Sequence, residues 1–230
     1  MPLWRNTMED AVAQEANLLR VRIPSGAPFS TINIFMLPQP KLDILFPKHV
    51  YRIEGLFLEQ LPDFENTCRD IIDVSGTVRE GEWQVQTTNQ TNNQVLNDPR
   101  LDNLRATILE YAREFMREMN YHEDYINNSD FVDSFTNLSF KGDHLYPHTH
   151  GLCLVAGVFY IKAPAGAQVW FFDDIPKIER HYKSSCPSTA HESYAYDCIP
   201  GTLLLFKSDL AHGNKSQPEG DKVVISFKIM

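Results

Sequence analysis

Three histidines have the side chain and the spacing of a metal-binding set. His148 and His150 lie two residues apart, so on a strand both imidazoles would project from the same face. His212 follows 62 residues after His150 (212 − 150), at the end of another apolar run. Imidazole nitrogen is a ligand that suits Fe, Zn, Cu and Ni. Three imidazoles converging from two strands would therefore form a site for a first-row transition metal ion.

Such a site needs a rigid scaffold, and the composition is that of a folded protein. The 230 residues are 43% hydrophobic and 11% aromatic, which is enough for one sizeable domain with its own core. No internal repeat or linker divides the sequence, so we predict a single domain over residues 1–230. Within it, residues 1–125 would buttress a metal-bearing core at residues 126–230.

The net charge and the cysteines argue against several classes of function. A formal net charge of −9 and a pI of about 5.3 disfavour broad binding to nucleic acid or to an anionic membrane, which needs clustered Lys and Arg. The sequence has no apolar run long enough for a membrane span and no signal-peptide pattern. None of the four cysteines forms a Cys-x-x-Cys pair, although Cys186 and Cys198 could pair with each other. We expect a cytoplasmic protein.

The N-terminal half is expected to supply strands and helices that support this core. A short helix is predicted at 8–18, and proline-punctuated strands at 19–23, 31–37, 42–46 and 50–53. A helix opens at Leu61, and a polar loop follows at 76–97. Asp98 suits an N-cap and Pro99 the first position of a second helix, over 99–119. Its apolar stripe, from Leu101 to Met119, would pack on the core.

From about residue 131 onwards, short strands recur with Gly or Pro between them. They are predicted at 134–140, 152–161, 167–172, 202–206 and 222–229, with a long polar excursion at 174–194. This pattern is typical of a β-sandwich or barrel. The predicted fold is therefore mainly β with N-terminal α-helices.

The order of these features resembles the Fe(II)/2-oxoglutarate-dependent oxygenases, and more narrowly a group of small microbial and viral members. The matching residues are His148-Thr149-His150, Tyr160-Ile161-Lys162-Ala163-Pro164, Pro200-Gly201-Thr202-Leu203-Leu204-Leu205-Phe206 and His212-Gly213. The resemblance is close over residues 130–230 and rests on layout alone in the N-terminal half. It implies a double-stranded β-helix, the cupin-like jelly roll. It also implies a dioxygenase that binds Fe(II), converts 2-oxoglutarate to succinate by decarboxylation and hydroxylates a substrate.

The resemblance assigns the catalytic metal to His148, His150 and His212. Most of the family has Asp or Glu where this chain has His150. Three neutral imidazoles leave the full divalent charge on the metal, which a dianionic cosubstrate could offset. Asp143 or His144 could fix the tautomer of a ligand from behind.

The resemblance also places the cosubstrate. Lys222 stands where the family usually has Arg, ten residues past the distal histidine (222 − 212). It would pair with the remote carboxylate of 2-oxoglutarate, keeping the charge of Arg without its bidentate fork. Otherwise it is an exposed strand-end lysine. Ser226 shares its strand face and could add a hydroxyl. Tyr160 is either a core aromatic or a further contact to the cosubstrate.

Two other classes of protein fit the same residues. A cupin-like enzyme with a three-histidine metal and no 2-oxoglutarate, such as a thiol or diketone dioxygenase or an isomerase, gives Lys222 no required role. A non-enzymatic jelly roll, such as a viral structural or binding protein, would carry its histidines by chance. In the oxygenase hypothesis the substrate is a small molecule or a peptidyl side chain, covered by segments 76–97 and 174–194. The oligomeric state, a monomer or a homodimer, stays open.

Overall fold

Two antiparallel β-sheets form the centre of the protein. The computed structural model describes residues 48–79, 84–173 and 192–230. Ten strands lie in these ranges: β1 Val50–Ile53, β2 Gln86–Thr87, β3 Phe131–Ser139, β4 Leu145–His148, β5 Val155–Lys162, β6 Gln168–Phe172, β7 Ser193–Asp197, β8 Leu203–Lys207, β9 His212–Asn214 and β10 Lys222–Ile229. The larger sheet has the order β1-β8-β5-β10-β3-β2, and the smaller sheet has the order β4-β9-β6-β7.

The larger sheet buries both of its faces, and the alternation of side chains assigns each face a different partner. On β10, Val223, Ile225 and Phe227 join the apolar core under the helices. Val224 points to the other face and joins the core between the two sheets. Strand β10 lies between β3 and β5 at the centre of the sheet. The site-bearing face of the sheet is therefore the one that looks towards the smaller sheet.

The helices pack on the outer face of the larger sheet, as their apolar stripes predict. They are α1 Leu61–Ser75, α2 Asp102–Glu118 and α3 Glu123–Asn127. Asp98 accepts a hydrogen bond from the backbone N–H of Arg100 and caps a short 3₁₀ turn, Pro99–Leu101, that leads into α2. The predicted helix over 99–119 is thus this turn followed by α2. No helix within the described residues is long and apolar enough to cross a membrane.

The predicted mainly-β fold with helices is confirmed, with local differences at several strands. Strand β3 begins at Phe131, before the predicted start of 134. Strand β7 was missed, because its exposed tyrosines and polar residues hide the strand period inside the predicted excursion at 174–194. The strand that carries His148 ends at that residue. The predicted elements at 8–18, 19–23, 31–37 and 42–46, and Cys186, lie outside the described residues, so the single-domain prediction is not tested.

Candidate metal centre

Strands β4 and β9 set two of the histidines side by side. His148 and His212 are directly opposed residues of these antiparallel strands, while Leu145 pairs with Asn214. Three steps on β4 therefore match two steps on β9, which is a β-bulge. Pro147, which has no N–H to donate, lies within this bulge on the edge strand of the smaller sheet, a position that tolerates proline.

Gly213 allows the two strands to come this close. A Cβ atom at Gly213 would lie 2.5 Å from the backbone oxygen of Leu145 and 3.1 Å from the nitrogen of Pro147. Any side chain there would push β4 away from β9 and separate the two histidines. The His-Gly pair of the sequence therefore combines a ligand with the space that the neighbouring strand needs.

His150 reaches the same place from a turn. The expectation that His148 and His150 share a strand is wrong, because β4 ends at His148. The backbone N–H of His150 donates instead to the carbonyl oxygen of Ser208 at 2.8 Å, which ties the turn to the end of β8. This hydrogen bond brings the third imidazole to the other two without strand geometry.

The three imidazoles converge closely. Their ring centroids are 4.5 Å apart for His148 and His212, 4.9 Å for His150 and His212, and 5.0 Å for His148 and His150. One nitrogen from each ring lies within 4.8 Å of the others. The Nε2 atoms of His150 and His212 are 3.2 Å apart. Two ligands on one metal, with bonds of about 2.1 Å, are separated by about 3.0–3.4 Å.

Backbone carbonyls fix the orientation of two of the rings. Nδ1 of His148 lies 2.9 Å from the oxygen of Tyr146, and Nδ1 of His212 lies 2.9 Å from the oxygen of Leu210. A carbonyl only accepts, so each Nδ1 carries the proton and each Nε2 has a lone pair that can bind a metal. The proton position is assigned from this geometry.

The idea that Asp143 or His144 holds a ligand tautomer is wrong. The Asp143 carboxylate accepts from Arg79 at 3.1 Å and from the backbone N–H of Phe140 at 2.8 Å. The ring of His144 packs edge-on against Tyr146, with centroids 4.9 Å apart. The sequence places both residues close to His148, but their side chains stabilise the loop before β4.

The surroundings keep the histidines neutral. Burial lowers the pKa of His150 to about 3 and that of His212 to about 4, and it also lowers the pKa of His148. The rings of Phe171 and Phe206 lie beside His212, with centroids 6.0 and 4.5 Å away. At neutral pH all three imidazoles are therefore uncharged, and they lie against an apolar wall. Both features suit coordination of a metal.

A cavity extends from the histidines between the two sheets. All six residues predicted from the sequence for the site line this cavity: His148, His150, Tyr160, His212, Lys222 and Ser226. Val85, from the polar segment 76–97, also lines it, in keeping with a covering role for that segment. The other predicted cover, 174–194, lies outside the described residues up to position 191.

Lys222 is a buried cation in this cavity, not an exposed strand end. It is 3% exposed, and burial lowers its pKa. With the Asn214 amide turned so that its nitrogen donates to Gly213 O, Lys222 Nζ donates to the Asn214 oxygen at 2.9 Å. Among the described residues no carboxylate lies within 4 Å of Lys222 Nζ. An ammonium has three N–H donors, so within the described residues this buried group keeps donors that an anionic ligand could use.

Ser226 and Tyr160 lie on the same wall with different partners. Ser226 Oγ accepts a hydrogen bond from Asn137 Nδ2 at 3.0 Å, and Asn137 Oδ1 is buried without a partner in the described structure. Burial raises the pKa of the Tyr160 hydroxyl, and the hydrogen bond between this hydroxyl and Cys198 adds to the effect. Cys198 is a free thiol.

Sequence reasoning missed Asn137 and Asn214 as parts of the site. Both had a usable signal. Asn214 lies two residues after His212, so it shares the face of that ligand on a strand, and Asn137 alternates onto the polar face of the predicted strand that became β3. Asparagine is not a common ligand of transition metals, so residue type alone did not indicate that either residue belongs to the site.

The comparisons with known proteins agree with this geometry. Residues 133–228 match the model of the family described as "Putative 2OG-Fe(II) oxygenase". A Pseudomonas putida prolyl-4-hydroxylase superposes with a TM-score of 0.55 at 12% identity, covering 79% of this chain and 92% of that chain. The collagen prolyl hydroxylase of Paramecium Bursaria Chlorella virus-1, in complex with 2-oxoglutarate, superposes with a TM-score of 0.50 at 15% identity, covering 79% of this chain and 96% of that chain.

HygX from Streptomyces hygroscopicus, with nickel and 2-oxoglutarate bound, also has a TM-score of 0.50 at 15% identity, covering 79% of this chain and 82% of that chain. At these identities the likeness shows the fold alone, and the predicted jelly roll is confirmed. No curated protein sequence matches the chain.

Proposed function

We propose that the chain is an Fe(II)/2-oxoglutarate-dependent oxygenase, a hydroxylase whose metal is held by His148, His150 and His212, because residues 133–228 match the model of that family. The family is one of enzymes, with Fe(II) as the metal and 2-oxoglutarate as the cosubstrate. When bound, these two supply the chemistry: O₂ gives one oxygen atom to succinate, formed with loss of CO₂, and the other to a C–H bond of the substrate.

The observation that carries the proposal is the 3.2 Å distance between the Nε2 atoms of His150 and His212. Nε2 of His212 bears no proton, because its Nδ1 donates to Leu210 O. A metal ion held by the two nitrogens would satisfy both lone pairs, and their separation fits a pair of ligands on one ion. His148, opposed to His212 across β4 and β9, supplies the third nitrogen from the same side. The residues present therefore fit the metal.

The cavity also fits the cosubstrate. Lys222 Nζ touches the side chain of Asn214, which lies two residues from His212 on β9. Two residues of a strand span about 6.6 Å, close to the length of a five-carbon dicarboxylate. One carboxylate can then meet Lys222 while the other end of the molecule reaches the metal. Pairing offsets the cost of burying either charge alone.

The roles of the chain follow from these positions. Lys222 would bind and orient the cosubstrate, with Ser226 and Tyr160 as further polar groups on the wall. Phe171 and Phe206 exclude water from one side of the ligand set. A dianionic cosubstrate offsets the divalent charge that three neutral imidazoles leave in place. An enzyme with a three-histidine metal but no 2-oxoglutarate would not need a buried lysine beside Asn214, two residues from the ligand His212.

The substrate is proposed from chemistry and likeness together. Two of the similar structures are prolyl hydroxylases by name, so a peptidyl side chain is the first substrate class to test, and small molecules are the second.

Turnover of the cosubstrate tests the function directly. We expect the protein with Fe(II), ascorbate, O₂ and 2-oxoglutarate to release succinate slowly without a substrate. His212→Ala should abolish this release, whereas His122→Ala, which changes an exposed histidine at the start of α3, should not. Succinate release no faster than that of His212→Ala would contradict the proposal.

A further inference from the structure

An ion pair lies on the cavity face of the larger sheet, away from Lys222. Lys228 Nζ donates to Asp133 Oδ2 at 2.8 Å, and the two residues are directly opposed on β10 and β3. Their side chains are only 23% and 14% exposed. Asp133 Oδ1 is buried with no hydrogen-bond partner in the described part of the chain. The carboxylate is therefore held by one cation and little else.

Strand register places this pair at the metal end of the cavity. Lys228 is opposed to Ala156, and Ala156 is opposed to Phe206, whose ring centroid lies 4.5 Å from that of His212. The backbone N–H of Leu154 donates to the oxygen of Ile229 at 2.9 Å. The segment that joins His150 to β5 is thus tied to the residue next to Lys228.

The charge of Lys228 acts against a metal at the histidines. A cation two strands away from the ring beside His212 disfavours a divalent ion between the imidazoles by Coulomb repulsion. The three imidazoles bring no negative charge of their own to oppose it.

The size of this effect is large enough to matter. Lys228 and Phe206 are two strand spacings apart, about 10 Å. At about this distance from a divalent ion, and at an effective dielectric constant of about 40, a unit charge changes a dissociation constant on the order of tenfold. A buried pair is screened by salt much less than an exposed one. The balance between Asp133 and Lys228 should therefore be visible in the affinity for the metal.

We propose that the Asp133–Lys228 ion pair sets the electrostatic field at the metal centre. Asp133 cancels Lys228 from behind the ligand set and so allows a neutral three-histidine site to hold a divalent cation. Asp133 and Lys228 are positioning residues, since neither touches the metal or the cosubstrate. This role rests on the proposed function, because it requires that the histidines bind a metal.

This role predicts that substitutions of Asp133 and of Lys228 shift the affinity for the metal in opposite directions. The probe is Co(II) alone, without 2-oxoglutarate, titrated calorimetrically near pH 8. Asp133→Asn leaves Lys228 unopposed and should raise the Kd about tenfold. Lys228→Met leaves the carboxylate unopposed and should lower the Kd about tenfold. The double variant should return to within about threefold of the wild type. A purely structural ion pair would instead weaken binding in both single variants.

The control is the exposed ion pair between Arg105, in α2, and Asp130, the residue before β3. Asp130→Asn should change the Kd less than about twofold, because exposed pairs contribute little. If Asp133→Asn does not fold, the direction of the Lys228→Met shift still decides. Weaker or unchanged Co(II) binding by Lys228→Met would overturn this inference alone. Failure of the wild type to bind Co(II) more tightly than His212→Ala would overturn the proposed function as well.

Discussion

His148 and His212 are directly opposed on β4 and β9, and both rings are oriented by the same local contact. In each case Nδ1 lies 2.9 Å from the carbonyl oxygen of the residue two positions earlier, Tyr146 or Leu210. The backbone therefore selects the tautomer and leaves Nε2 of both rings without a proton before any metal arrives. No carboxylate behind the ligands is needed for this.

The close approach of β4 and β9 makes Gly213 sensitive to substitution. Gly213→Ala should destabilise the protein and weaken metal binding at least tenfold, because its Cβ would overlap the backbone of β4. Gly151→Ala is the matched control: Gly151 also follows a candidate ligand, and a Cβ there meets nothing within 4 Å. Thermal unfolding and Co(II) titration of both variants measure the effect. Equal behaviour of the two variants would contradict the tight-contact account.

The sequence predicted the two longer helices, most of the strands of the C-terminal half and six of the residues that line the cavity, for physical reasons. Amphipathic stripes mark α1 and α2, and the apolar run of β10 matches its observed range, since burial dictates residue type there. His150 was placed on a strand because spacing cannot show where β4 ends. That end depends on the hydrogen bond to Ser208, 58 residues away (208 − 150). Likewise, no local pattern could show that Lys222 is buried, because the smaller sheet covers it.

Lys222 should stabilise the complex with 2-oxoglutarate and destabilise the protein that has no cosubstrate bound. Lys222→Met removes a buried charge, so the free energy of unfolding without cosubstrate should rise by about 1–3 kcal/mol. The same variant should lose at least about 30-fold in 2-oxoglutarate affinity, because the buried carboxylate then lacks its cation. Denaturant unfolding and calorimetry with Ni(II) check the two effects. Unchanged 2-oxoglutarate affinity would remove Lys222 from the cosubstrate site.

The lowered pKa of Lys222 predicts a pH dependence of cosubstrate binding. Burial lowers this pKa from its ordinary value of 10.5, so the free protein loses the charge at a pH at which an exposed lysine keeps it. Binding of a dianion requires the charged form. Affinity for 2-oxoglutarate should therefore be constant near neutral pH and fall as the pH rises through this lowered pKa.

Lys222→Arg provides the comparison for that titration, since a guanidinium stays charged throughout the range. Its affinity for 2-oxoglutarate should vary less between about pH 7 and pH 10 than that of the wild type. Identical pH profiles for the two proteins would show that Lys222 does not govern binding of the carboxylate.

We propose that the three histidines and Lys222 hold Fe(II) and 2-oxoglutarate together in one cavity. Anaerobic addition of Fe(II) and then 2-oxoglutarate should produce a visible metal-to-ligand charge-transfer band with the wild type and with His122→Ala. The band should be absent with His212→Ala and weak with Lys222→Met at the same concentrations. No band with the wild type, or an undiminished band with His212→Ala, would contradict the account.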